Sequence, residues 1–210
     1  MKITVIGASA GIGLETVYRA LDRNHKITAL SRSEITIDHS NFQSISGSAT
    51  NRTDLLDALE GADAVIVTLG TGTSTKATTL FSDFAKLLVD IQAEKALDIP
   101  FVLVTGFGAG ESIHFVPEPV RQMMETVLKD VYADKSKMEE IIEGTEMNWI
   151  IVRPGLLLDG PLTQEYIIED QLYKGIEVGE INRTDVADFL VKQAEEPKKT
   201  KTYYTIRSKR

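Results

Sequence analysis

Apolar residues fall along this chain in two alternating rhythms. Short β-branched runs stand at residues 2–6, 25–31, 42–46, 64–69, 101–105 and 149–153. Between them lie stretches with apolar positions three and four apart, at 14–21, 52–59, 80–97 and 120–142. The first rhythm suits strands and the second amphipathic helices, and several strand runs are apolar throughout, as strands buried on both faces are. Strand and helix in turn predict βα units around a mostly parallel sheet: a doubly wound, three-layer, Rossmann-like α/β fold. A last helix is expected over 184–194, with Thr184 as N-cap and Asp185 in its acidic first turn, and then an edge strand over 202–206. Residues 111–119, with His114 and two prolines, read as an irregular lid, and 166–179 as short strands or irregular chain. No repeat or interdomain linker interrupts the pattern, so residues 1–210 form one domain, with substrate-side loops within about 106–119 and 156–182.

The first strand runs into GASAGIG, residues 7–13, and then straight into a helix. Glycine without a Cβ lets a turn pass tightly beneath a ligand, and the free N–H groups of the following helix then face an anion. Gly7, Gly11 and Gly13 keep the outer spacing of a dinucleotide-binding turn, with Ala10 at the middle glycine's place. The alternative is a tight βα turn that binds nothing. Two more glycine loops end strands on the same edge: Leu69-Gly70-Thr71-Gly72-Thr73 and Gly106-Phe107-Gly108-Ala109-Gly110. The second strand ends in Ser31-Arg32-Ser33. An acid there would suit the ribose hydroxyl of NAD; an arginine suits the 2′-phosphate of NADP, with serine hydroxyls to assist it.

Composition narrows the classes. The 210 residues contain no cysteine, which excludes disulfides, zinc–thiolate sites and thiol nucleophiles. A net charge of −8 disfavours nucleic acid, and the basic residues Lys198, Lys199, Lys201, Arg207, Lys209 and Arg210 read as a solvated tail. Neither a secretory pattern nor a membrane-length apolar run is present, so a cytoplasmic protein without membrane contact is expected, and oligomeric state is left open. No metal site is expected.

These motifs together resemble the atypical short-chain dehydrogenase/reductase group, in particular its NmrA-like and flavin or biliverdin-B reductase-like NAD(P)H-binding members. The likeness runs through GASAGIG, SRS, LGTGT, VTGFGAGES, YADKSKMEEII, WIIVRPGLLLDGPLT and INRTDVADFLV, over nearly the whole chain. It implies NADP(H) over the carboxyl edge of the sheet and a small-molecule acceptor beside the nicotinamide. It implies further that Gly7, Ser9, Ala10, Gly11 and Ile12 hold the pyrophosphate, and Ser31, Arg32 and Ser33 the 2′-phosphate. Ser48 and Ala49 would lie by the adenine, and Leu69, Gly70 and Thr71 along the middle of the cofactor. Thr105, Lys135, Pro154 and Gly155 would surround the nicotinamide, with Lys135 orienting the ribose and the Thr105 hydroxyl donating or relaying a proton.

Three positions depart from the group. The tyrosine of Y-x-x-x-K is replaced by Val131, since Tyr132 stands three residues before Lys135; Gly47-Ser48-Ala49 lacks the usual acid; and Thr105 replaces a serine. A reductase that passes hydride to a flavin, quinone or similar planar acceptor tolerates these losses, because the cofactor carries the chemistry. A non-catalytic NADP(H)-binding sensor of the NmrA kind is the alternative.

Overall fold

The computed structural model describes residues 1–209. Strand β1 (Lys2–Ile6) leads through the glycine turn into α1 (Gly11–Asp22); β2 (Lys26–Ser31), β3 (Phe42–Ser46), α2 (Arg52–Leu59), β4 (Ala64–Val67), α3 (Leu80–Lys95) and β5 (Pro100–Val104) follow. After β5 come a 3₁₀ turn (Gly110–Phe115), α4 (Glu118–Thr126), α5 (Lys129–Glu143) and β6 (Asn148–Pro154). Short β7 (Leu156–Leu158), β8 (Tyr166–Glu169) and β9 (Glu180–Asn182) precede α6 (Arg183–Glu195) and β10 (Thr202–Ser208).

The main sheet runs β3-β2-β1-β4-β5-β6-β10-β8, parallel except for β8 against β10; β7 and β9 pair apart from it. Strand order therefore reverses between β1 and β4. In such sheets the crevice outside the carboxyl ends at that switch point is where ligands collect.

The two-residue period of each strand divides the core. Ile3, Val5, Ile66, Val102, Val104, Ile150 and Val152 face α1 and α6, while Ile6, Val65, Val67, Phe101, Leu103 and Ile151 face α2, α3 and α5. A third, small cluster of Phe107, Val116, Met124 and Ile176 joins the loop after β5, α4 and the segment before β9.

Four expectations need correction. The helix expected over 120–142 is two helices: the Thr126 hydroxyl donates back to the Gln122 carbonyl at 2.7 Å, a bond that bends helices, and α5 starts afresh at Lys129. Thr184 is not an N-cap, because Asn182 holds that place and the Thr184 hydroxyl donates to the Gly160 carbonyl at 2.9 Å. Strand β10 is interior, not an edge, since the YIIE run of β8 supplies the outer strand. Nor is the basic stretch a free tail: Lys201 pairs with Glu146, and Arg207 lies in β10, paired with Glu177 at 3.3 Å. Arg210 lies outside the described residues. Among the described residues no helix is long and apolar enough to cross a membrane, and no cluster of His, Cys, Asp or Glu could hold a metal.

Candidate cofactor site at the carboxyl edge

The glycine turn is built by contact. A Cβ on Gly13 would lie 2.2 Å from the Gly7 carbonyl oxygen and 2.7 Å from Thr68 Oγ1, so only glycine lets α1 close on the end of β1. Gly7 has φ of +86°, and its missing Cβ would strike the Thr68 carbonyl oxygen at 2.8 Å. Thr68, just past β4, ties the two switch-point strands together by donating to the Ile6 and Gly7 carbonyls at 3.1 and 3.2 Å.

Helix α1 begins at Gly11 after Ala10, and no side chain caps it. Its first N–H groups therefore lack intrahelical acceptors, at the positive end of the helix dipole. Ser9, Ala10 and Gly11 are exposed there; the Ile12 side chain is buried in the core, so only its main chain can serve a ligand. This uncapped, glycine-lined turn fits a pyrophosphate.

On the β2 side, Arg32 and Ser33 are exposed, and Ser31 donates its hydroxyl hydrogen to the Ser33 carbonyl at 2.5 Å, curling the loop. Ala49 is buried, and Ser48 N donates to Asp54 Oδ2 at 2.7 Å. Asp54 of α2 thus brings a carboxylate to the end of β3, where Gly47-Ser48-Ala49 itself has none. Gly70 is exposed, Leu69 and Thr71 are half-buried, and the Thr71 hydroxyl donates within its own loop to the Ser74 carbonyl at 2.9 Å.

On the β5–β6 side, Lys135 of α5 reaches across to donate from Nζ to the Thr105 carbonyl oxygen at 2.6 Å. Burial pushes its pKa down to about 8, against the pull of the Glu139 carboxylate. The aromatic faces of Phe81 and Tyr132 lie 5.4 and 5.2 Å from the same nitrogen. Val131 is packed in the core. The Tyr132 hydroxyl instead lies beside Gly106, 3.0 Å from where a Cβ would be, and burial raises its pKa. Pro154 is buried; Gly155 is confined by the neighbouring backbone, since a Cβ would fall 2.2 Å from the Val178 carbonyl oxygen.

Thr105 departs from its expected role. Its hydroxyl is buried and donates to Glu139 Oε1 at 2.6 Å, so its hydrogen is already committed and it is no free proton relay. Glu139 is bound in turn by Arg153, through Nε at 3.0 Å and Nη2 at 2.7 Å. Arg153 is 1% exposed, grips Glu111 as well at 2.9 and 3.0 Å, and lies 4.0 Å over the Tyr203 ring. These carboxylates raise its pKa, and Arg153 in return lowers that of Glu111. No motif marks this network in the sequence, although two signals stand there: a lone arginine closing an apolar strand, and an acid one helical turn beyond Lys135. Asp134, unmarked in the sequence as well, is buried and accepts from Phe81 N at 2.8 Å and Ser82 N at 3.3 Å. Asp134 thereby caps α3 and fixes α5 against it.

The expected residues thus gather along one edge, at the ends of β1 to β6, with Lys135 reaching in from α5. A family model described as NAD(P)H-binding matches residues 7–197. An uncharacterised sugar epimerase of Bacillus subtilis, YhfK, is 28% identical over 203 residues, spanning 93% of this chain and 89% of its own. Among solved structures, SP1627 of Streptococcus pneumoniae, a candidate NADH-flavin reductase, superposes with a TM-score of 0.78 at 24% identity, over the whole of both chains. ChuY of Escherichia coli O157:H7, an anaerobillin reductase, gives 0.78 at 21% identity over 100% of this chain and 98% of its own. At these identities the two structures show a shared fold.

Proposed function

The chain belongs to the NAD(P)H-binding family whose model spans residues 7–197, and from that premise we propose that it is an NADPH-dependent reductase acting on a flavin, quinone or similar planar acceptor. The observation that carries the reading is the half-buried Lys135 ammonium at the end of β5, beside a Thr105 hydroxyl already committed to Glu139. A site so arranged can orient a cofactor, and the Thr105 hydroxyl is not available as its proton donor. Hydride transfer to a conjugated ring needs orientation above all. The names of the two reductases sharing the fold support the same class.

The uncapped start of α1 holds the pyrophosphate, and the exposed Arg32 guanidinium meets the 2′-phosphate as a planar fork of donors. Lys135 donates to the nicotinamide ribose while keeping the loop after β5 in place. Bound, NADPH supplies the hydride. Glu139 and Arg153 hold Thr105, and the packing of α4 and the 172–178 segment on Phe107 shields this side of the edge from water. The acceptor protonates from solvent.

The test pairs binding with turnover. Titration should show NADPH bound more tightly than NADH, and Arg32→Ala should erase about ten- to a hundredfold of that preference, the worth of one charge-assisted contact. NADPH oxidation should then be seen with flavins or quinones. Equal affinity for both cofactors would overturn the NADP assignment; tight NADPH binding without turnover on any acceptor would replace the reductase by a cofactor sensor.

A further inference from the structure

Helix α6 starts with Arg183, and this side chain lies beside the glycine turn of a helix far away in sequence. Seen from Gly11, the direction a Cβ would take meets Arg183 Nε at 3.7 Å and Cδ at 3.8 Å. The guanidinium therefore adjoins the first residue of α1, where uncapped N–H groups already make the helix end positive. Two positive groups side by side repel unless an anion sits between or beside them. The counter-charge present is Asp159, which accepts from Arg183 Nη1 at 2.6 Å. That carboxylate is 93% exposed, so the pair is weak and readily exchanged, whereas Arg183 itself is only 29% exposed and held at the turn.

We propose that Arg183 is a further cofactor-binding residue, a clamp that leaves Asp159 and closes on the dinucleotide pyrophosphate opposite the α1 N–H groups. This rests on the reading of residues 7–13 as the dinucleotide turn. Arginine suits the task, because its rigid fork can bridge two phosphate oxygens. Asp159 is then a competitor for the guanidinium, and it sits in the turn after β7, in the substrate-side loop. Binding of the anion and release of that loop are coupled through one side chain.

The experiment titrates three ligands, NADPH, 2′-phospho-ADP-ribose and adenosine 2′-monophosphate, into the wild type, Arg183→Met and Asp159→Asn, with circular dichroism as a folding control. Arg183→Met should weaken NADPH and 2′-phospho-ADP-ribose at least tenfold and leave adenosine 2′-monophosphate, which lacks a pyrophosphate, unchanged. Asp159→Asn, at an exposed position, should tighten the two pyrophosphate ligands severalfold. If a folded Arg183→Met binds all three as the wild type does, or loses all three alike, the clamp is wrong. Should Arg183→Met not fold, unchanged affinities in Asp159→Asn overturn it. A wild type that binds none of the three overturns the dinucleotide reading, and the clamp with it.

Discussion

Lys135 Nζ meets the Thr105 carbonyl oxygen at 2.6 Å, so the loop that leaves β5 is fastened to α5 through the main chain and not through the threonine side chain. The side chain is left for Glu139. Lysine and threonine thus contribute different atoms to the same corner, and only the lysine keeps donors to spare for a ligand.

Lys135→Met should accordingly weaken NADPH binding by about 1–3 kcal/mol, since a charged donor to the ribose is lost. Turnover should fall with it. Tyr132→Phe should change both by less than threefold, because that hydroxyl is turned to Gly106. Steady-state kinetics on the two variants measures the difference. A thousandfold loss in Tyr132→Phe would restore a tyrosine acid.

The pH dependence of binding follows from the same lysine, whose pKa burial pushes down to about 8. An anionic ligand favours the ammonium and raises that pKa in the complex, so the lysine's contribution is complete below pH 8 and fades as pH rises through the higher value of the bound form. NADPH affinity should be flat from about pH 7 to 7.5, once the 2′-phosphate is ionised, then decline by at most tenfold per pH unit, with proton uptake on binding near pH 8. Calorimetry in buffers of different ionisation enthalpy checks it. Lys135→Arg, always charged, should abolish the decline.

Arg153 and its two carboxylates separate buried from exposed charge. Arg153→Met leaves Glu139 buried without its cation and should cost about 3–5 kcal/mol in urea unfolding. Glu111→Gln, at a carboxylate 58% exposed, should cost under about 1 kcal/mol. Pairing Arg153→Met with Glu139→Gln should recover part of the larger loss, because the stranded charge goes too.

Two glycines of the turn should part ways. Gly13→Ala drives a methyl group into the Gly7 carbonyl at 2.2 Å and should lower the thermal midpoint by several degrees, an overpacking cost of about 1–3 kcal/mol or more. Gly11 meets nothing closer than 3.7 Å, so Gly11→Val should fold, with about 1–2 kcal/mol of strain at its φ of +54°, yet lose NADPH. Melting curves with and without cofactor tell them apart.

Much of this arrangement was legible in the sequence because it is carried by local pattern. The spans of β1, β3 and α2 were read to the residue, and the Arg32 and Lys135 positions come from motifs adjacent to single strands or helices. What escaped depends on partners distant in sequence. Arg153 gains its meaning from Glu139 and Glu111, Asp134 from a helix end 53 residues earlier, and Arg183 from Gly11. Asp185 shows the limit most clearly. It stands in the first turn of α6 as expected, but it is also buried and accepts the Thr163 and Gln164 N–H groups at 2.8 and 2.7 Å, holding a turn that no periodicity reveals.

The place of β10 between β6 and β8 has a consequence for how the chain is made. Strand β8 leaves the ribosome before β10, with which it pairs, and with β9 and the whole of α6 still to come. Until β10 arrives, β6 presents an unpaired rim of N–H and carbonyl groups, and the half-apolar YIIE run has nothing to pair with. Strands β1 to β5 can consolidate early, whereas β6, β8 and β10 wait for the last insertion. A nascent chain halted before Thr202 should therefore engage chaperones through this open rim.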